Sequence, residues 1–165
     1  MQRRIFIAIN LPESIKNKLV KYQLKWLELP CRWTKKENLH ITLEFLGYLT
    51  DEELMELCQR TKKIASEKKS FSVCLNKICY GPPKKNPPRM VWVTGEKIKE
   101  FNLSPHITLG RIKTWQFRQI EPEERSEINE DIDLDFEVNS IEIMESQLKK
   151  TGPDFTILES CPLKS

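Results

Sequence analysis

The stretches LHITLEFLG (residues 39–47) and SPHITLGRI (residues 104–112) hold the only two histidines of the chain, His40 and His106, each followed by Ile-Thr-Leu. On average residue usage, three further matches by accident have odds of roughly one in a few thousand. In a strand, residues i and i+2 share a face, so His40 projects with Thr42 while Ile41 and Leu43 turn away. The same geometry sets His106 beside Thr108 and turns Ile107 and Leu109 to the other side. Each tetrapeptide presents an imidazole and a hydroxyl on one face and two apolar anchors on the other.

Working outward, Ile5, Ile7 and Ile9 alternate with Phe6 and Ala8, the pattern of a two-faced strand. After Pro12, the spacing of Ile15, Leu19, Tyr22 and Trp26 predicts one helical stripe that stops near Pro30. A turn-like polar patch from Cys31 leads into the first histidine strand, which Gly47 closes. Thr50 and Glu53 have capping-box spacing and open a helix with Leu54, Leu57, Cys58, Thr61, Ile64 and Ala65 on one face.

FSVCLNKICY (71–80) and MVWVTG (90–95) read as strands around the proline-rich loop GPPKKNPPR (81–89). Pro105 suits the first positions of the second histidine strand. EPEERSEINE (121–130) is expected to form a short helix, and LDFEVNSIEIMESQL (134–148) and GPDFTILESC (152–161) two more strands. Strands and helices mix without regular β-α-β spacing, so the expected class is α+β with mostly antiparallel sheets. The chain reads as a single domain, 1–165, and the repeat, 66 residues apart, suggests two lobes with related cores.

The composition narrows the function classes. Hydrophobic residues make up 39% and charged residues 31%, with no apolar run near the roughly 20 residues that span a bilayer. The N-terminal apolar run breaks at Asn10 and Pro12, which reads as a first strand and not a signal peptide. Cys31, Cys58, Cys74, Cys79 and Cys161 are odd in number and form no C-x-x-C pair, so the expectation is a reducing cytoplasm, without a disulfide framework or zinc site. A net charge of +3 permits an anionic partner without demanding one.

If the two histidine strands face one cleft, two imidazoles and two hydroxyls meet there. Hydrolysis of a phosphodiester needs a base for the attacking water and an acid for the departing oxygen, and imidazoles with pKa near 6.5 serve both needs near neutrality. The hydroxyls donate to non-bridging oxygens, where charge gathers. This scheme needs no cofactor, and H-x-H or H-x-x-x-H metal-site spacing is absent.

Together RRIFIAINLP, RWTKKENLHITLEFLG, PRMVWV, PHITLGRI and SIEIMESQLKKTGPDFTIL resemble the bacterial and archaeal RNA 2′,3′-cyclic phosphodiesterases, historically called 2′-5′ RNA ligases, of the two-histidine phosphoesterase superfamily. The resemblance runs over nearly the whole chain. It implies a bilobal α+β fold with pseudo-two-fold symmetry, helices packed outside and an active cleft between the lobes. It also implies that His40 is the proton donor to the leaving 3′ oxygen and His106 the base for water. By the same resemblance Thr42 and Thr108 hold the phosphate and Arg111 contacts it. The implied partner is an RNA with a 2′,3′-cyclic phosphate end or a related nucleotide; no protein partner is implied. A 2′-5′ ligase working at the same cleft and a non-catalytic RNA-end binder are the alternatives.

Strict alternation from His106 turns Arg111 out of the cleft, so its role requires a bulge or strand end near Gly110. Similar proteins place a long helix between the VWV strand and the second histidine motif. Here only TGEKIKEFNLSP (94–105) fills that interval, so either a covering element is lost or a segment is omitted. Lys84, Lys85 and Arg89 are candidates for steering RNA phosphates. Phe6, Trp33 and Trp92 are candidates for base stacking, with core packing the alternative.

Overall fold

The computed structural model describes all residues, 1–165. Its elements run β1 (Gln2–Asn10), α1 (Glu13–Gln23), β2 (Cys31–Trp33), β3 (His40–Thr50), α2 (Asp51–Glu67), β4 (Phe71–Gly81), β5 (Met90–Gly95), β6 (His106–Ile112), α3 (Thr114–Arg118), β7 (Asn129–Val138), β8 (Ser140–Lys149) and β9 (Gly152–Pro162). The strands build two sheets, ordered β3-β1-β8-β9 and β2-β6-β5-β4-β7, with every strand pairing antiparallel. The fold is α+β, as the sequence indicated. Outward from each histidine strand the orders correspond: β3 with β6, β1 with β5, β8 with β4, β9 with β7.

Local chemistry accounts for the elements. Thr50 caps α2 by accepting from the Glu53 N–H at 3.2 Å, while the Glu53 carboxylate accepts from the Thr50 N–H at 3.0 Å. Leu57, Thr61 and Ala65 then recur at one-turn spacing on its buried face. In β7, Ile132, Leu134, Phe136 and Val138 are buried while Asp131, Asp133, Asp135 and Glu137 are exposed, an alternation that selects a strand. One face of each sheet contributes to a shared core of 32 buried residues, with Ile5, Ile7, Ile9 and Ile41 from one and Val91, Val93, Ile107 and Leu109 from the other.

Three departures from the sequence reading have physical causes. Cys31–Trp33 is a strand, because its backbone pairs with β6 at the edge of the second sheet. Within 121–130 only Pro122–Glu124 is helical, a single 3₁₀ turn, since β7 begins at Asn129; the short α-helix lies earlier, at Thr114–Arg118. The stretch 134–148 is two strands, because the chain crosses between sheets at Asn139. Between β5 and β6, where the sequence leaves too little chain for a long helix, a 3₁₀ turn at Lys99–Phe101 is closed by a bridge between Ile98 and Leu103 and by Asn102 in the left-handed region at φ 50°. Ile98 is buried there and Phe101 packs edge-on against Phe71, with centroids 5.7 Å apart.

Candidate active site

Pairing register decides what faces the cleft. In the β1–β3 ladder Ala8 opposes Thr42 and Ile7 opposes Glu44, leaving Leu43 without a partner. In the β5–β6 ladder Trp92 opposes Thr108 and Val91 opposes Gly110, leaving Leu109 without one. Both tetrapeptides therefore bulge at their leucine, and a bulge switches the face of every residue beyond it. Beyond Leu109, Arg111 lies opposite Met90 and returns to the histidine face, so the condition on its role is met. Beyond Leu43, Phe45 lies opposite Phe6 and does the same.

The two sheets enclose a cleft of about 610 Å³ that brings together His40, Thr42, His106, Thr108 and Arg111. Arg4, Arg32 and Lys35 join Arg111 in its lining, and no carboxylate does. Phe6 and Trp33 also line it, whereas Trp92, Lys84, Lys85 and Arg89 do not. Nowhere in the structure do three or more His, Cys, Asp or Glu side chains converge as a metal cluster.

His40 is fixed at both nitrogens. Its Nδ1 lies 2.7 Å from the Asn38 carbonyl, an obligate acceptor, so Nδ1 carries the proton and donates. Its Nε2 lies 2.9 Å from Thr42 Oγ1 and is the nitrogen aimed along the strand face. Phe6 and Phe155 each lie 5.1 Å from the imidazole centroid, so the ring sits in an aromatic corner.

His106 is held differently. Its ring stacks on Trp92 with centroids 4.0 Å apart and planes 18° apart. The indole in turn lies over Gly81, where an added Cβ would run into the ring. Trp92 Nε1 is buried without an acceptor, so this indole is held by shape and not by a hydrogen bond. Thr108 is anchored through its carbonyl, which accepts from Thr34 Oγ1 at 2.8 Å. Its own hydroxyl has only the Met90 sulfur, at 3.9 Å, and the Arg111 guanidinium lies 3.7 Å from that same sulfur. Neither Arg4 nor Arg111 is paired with a carboxylate.

A family model described as LigT-like phosphoesterase matches residues 9–92, just over half of the chain. The chain belongs to this family. A curated relative from Methanocaldococcus jannaschii, an RNA 2′,3′-cyclic phosphodiesterase, is 29% identical, with 94% of this chain and 98% of the relative aligned. One from Thermotoga maritima with the same name is 27% identical over 96% of this chain and 94% of its own length. A solved structure from Thermus thermophilus superposes with a TM-score of 0.84 at 25% identity, covering 98% of both chains. Escherichia coli LigT complexed with 3′-AMP has the same fold, with a TM-score of 0.79 at 20% identity over the whole of both chains.

In this LigT-like phosphoesterase both imidazoles titrate below the ordinary histidine value. Burial is the main cause for His40, and the charges of Lys16 and His106 add to it while the Asn38 carbonyl opposes. Burial alone accounts for His106. Each histidine responds to loss of water more than to any single neighbour. An anion entering the cleft favours the imidazolium forms and reverses that direction.

The sequence reading missed Asn38, Phe155, Arg4 and Phe45. Asn38 acts through its carbonyl and Phe45 reaches the cleft only through the Leu43 bulge, neither of which has a side-chain signature. Arg4 was in view, because it continues the Phe6–Ala8 face of β1 by simple alternation.

Proposed function

We propose that the chain hydrolyses terminal 2′,3′-cyclic phosphodiesters of RNA to 2′-phosphomonoesters by histidine acid–base catalysis. The observation that carries this reading is the pair of H-x-T strands, equivalent in topology and bulge, that turn both imidazoles into one cationic cleft free of carboxylates. The names of the relatives at 27–29% identity support the same substrate.

In the step that follows, His106 accepts a proton from water as its oxygen attacks phosphorus, and the bond from phosphorus to the 3′ oxygen breaks. His40 gives its Nε2 proton to that oxygen, producing a 3′-hydroxyl and a 2′-phosphomonoester. The Nδ1 bond to the Asn38 carbonyl orients His40 for this donation. Thr42, Thr108 and Arg111 supply donors to the non-bridging oxygens, where negative charge builds in the transition state.

The test is to incubate the protein with an RNA ending in a 2′,3′-cyclic phosphate and locate the phosphate in the product. A 2′-phosphate is expected. A 3′-phosphate would overturn the role of His40, and binding without turnover would make the chain an RNA-end binding module.

A further inference from the structure

Phe45 and Arg111 occupy equivalent positions, each three residues beyond the threonine of its motif and each turned into the cleft by a leucine bulge. One is a cation suited to phosphate. The other is a phenyl ring that remains 54% exposed. Its ring is covered on one side by the Arg4 guanidinium, 4.9 Å from the centroid, which is cation–π distance. Arg3, on the opposite face of β1, lies 3.5 Å from both Asp51 and Glu145, whereas Arg4 has no carboxylate partner. A free guanidinium over an exposed ring, at the rim of a cleft without acidic residues, is a surface prepared for an aromatic anion.

Its place relative to the histidine follows from the ladder. Asn10 opposes His40, Ala8 opposes Thr42 and Phe6 opposes Phe45. Four residues of β1 separate the His40 row from the Phe45 row, roughly 13 Å at the usual strand rise. That lies beyond a phosphate bound at His40 and within reach of the nucleotide that precedes it in the chain. Phe6, in the Phe45 row, reaches back until its ring lies 5.1 Å from the His40 ring, centroid to centroid, and the terminal nucleoside rests against it in this arrangement.

We propose that Arg4 and Phe45 form a shelf for the penultimate nucleotide of a single-stranded RNA end. The base stacks against the ring and guanidinium pair, and the guanidinium neutralises the phosphodiester joining the last two nucleotides. The shelf rests on the reading of the cleft as an RNA-end site. It makes the preferred substrate an oligonucleotide and not a free cyclic nucleotide.

The test compares ligands that cannot react further, so it reads the shelf whether or not the reaction proposed above is correct. Calorimetry would measure adenosine 2′-monophosphate against the dinucleotide adenylyl-adenosine 2′-phosphate, with the uridine pair run in parallel to separate out base preference. The dinucleotide is expected to bind roughly ten- to a hundredfold tighter, the range for one stacked base. Phe45→Leu should collapse that ratio and Phe45→Tyr should keep it. Arg4→Met should lower the salt dependence of dinucleotide binding by about one phosphate contact.

Equal affinity for the two lengths, or a ratio that survives both Phe45→Leu and Arg4→Met, would overturn the shelf. A parallel assay on the corresponding cyclic phosphates separates the two readings. If neither length is cleaved while the binding ratio holds, the reaction is refuted and the shelf stands. If both are cleaved with equal kcat/KM and bound equally, the shelf is refuted and the reaction stands.

Discussion

The two lobes give their histidines the same backbone and opposite surroundings. His40 and His106 begin equivalent strands, Thr42 and Thr108 follow on the same face, and Leu43 and Leu109 carry equivalent bulges. Across the ladder, however, Ala8 stands opposite Thr42 and Trp92 opposite Thr108. The small residue leaves room for Phe6 and Phe155 to surround an imidazole tethered at Nδ1 and Nε2. The large one supplies a flat wall on which the other imidazole lies without a tether. A ring fixed at one nitrogen presents the other in a set direction, as a proton donor to a leaving group requires. A ring held by its face leaves its nitrogens free for water.

The most severe way to break the comparison is to remove each ring. His40→Ala and His106→Ala should each lower kcat/KM about 10²–10⁴-fold on a cyclic-phosphate RNA. The double variant should lose far less than the product of the two, because an acid without its base has little left to assist. Losses that simply multiply would mean that the two sites act separately.

Next in size are the hydroxyls. Thr42→Val and Thr108→Val should each reduce kcat by something like tenfold to a thousandfold, since one transition-state donor is worth roughly 2.7–4 kcal/mol at most. Only Thr42→Val also deletes a partner of an imidazole, so only it should move an NMR titration of His40. The chain's two histidines make that spectrum easy to assign. Equal movement of both histidines in the Thr108 variant would remove the asymmetry between the lobes.

Smaller again is the stack. Trp92→Leu should lower kcat by about tenfold with KM little changed, and it should abolish the upfield ring-current shift of the His106 protons. Trp92→Phe should restore much of both, and Gly81→Ala should act in the direction of Trp92→Leu by displacing the indole. A Trp92→Leu enzyme with unshifted His106 signals and normal kcat would mean that the wall does not orient the ring.

The mildest effects are on pH. Sequence reasoning places the limbs of a kcat/KM bell on either side of neutrality. With both free-enzyme imidazoles depressed below 6.5, the maximum should instead lie on the acid side of that value. In the complex, a bound phosphodiester favours the imidazolium forms, so the limbs of kcat should sit at higher pH than those of kcat/KM. For folding the sign follows from proton counts. Below 6.5 the unfolded chain binds more protons at these two sites, so their contribution to stability is complete above about 6.5 and is lost as pH falls through the folded values. Thermal melts of His40→Ala and His106→Ala against pH would read how the two lobes divide that loss.

Much of this arrangement was legible in residue order. The alternation in β1, the capped helix α2 and the H-x-T faces follow from periods that a chain displays before it folds. The bulges do not, because they arise from how two distant strands count against each other. Arg111 exposed that gap, since alternation excluded it from the cleft while family likeness required it there. Phe45 passed unnoticed for the same reason. The strand Cys31–Trp33 was hidden because three residues carry too little pattern, and its pairing partner lies about 80 residues away.

That short strand has a mechanical consequence. The segment leading to His40 is stitched along the strand that carries His106. The Thr34 N–H donates to the Leu109 carbonyl at 2.8 Å, the Lys113 N–H donates to the Pro30 carbonyl at 2.8 Å, and the Gln23 side chain reaches the same Leu109 carbonyl at 3.0 Å. Any motion that lifted this segment off β6 would break backbone bonds on both sides of β2. The chain entering β3 is thus held on the second sheet up to Thr34, shortly before His40. The amides of Thr34 and Lys113 should accordingly exchange with solvent as slowly in the empty protein as in a ligand complex.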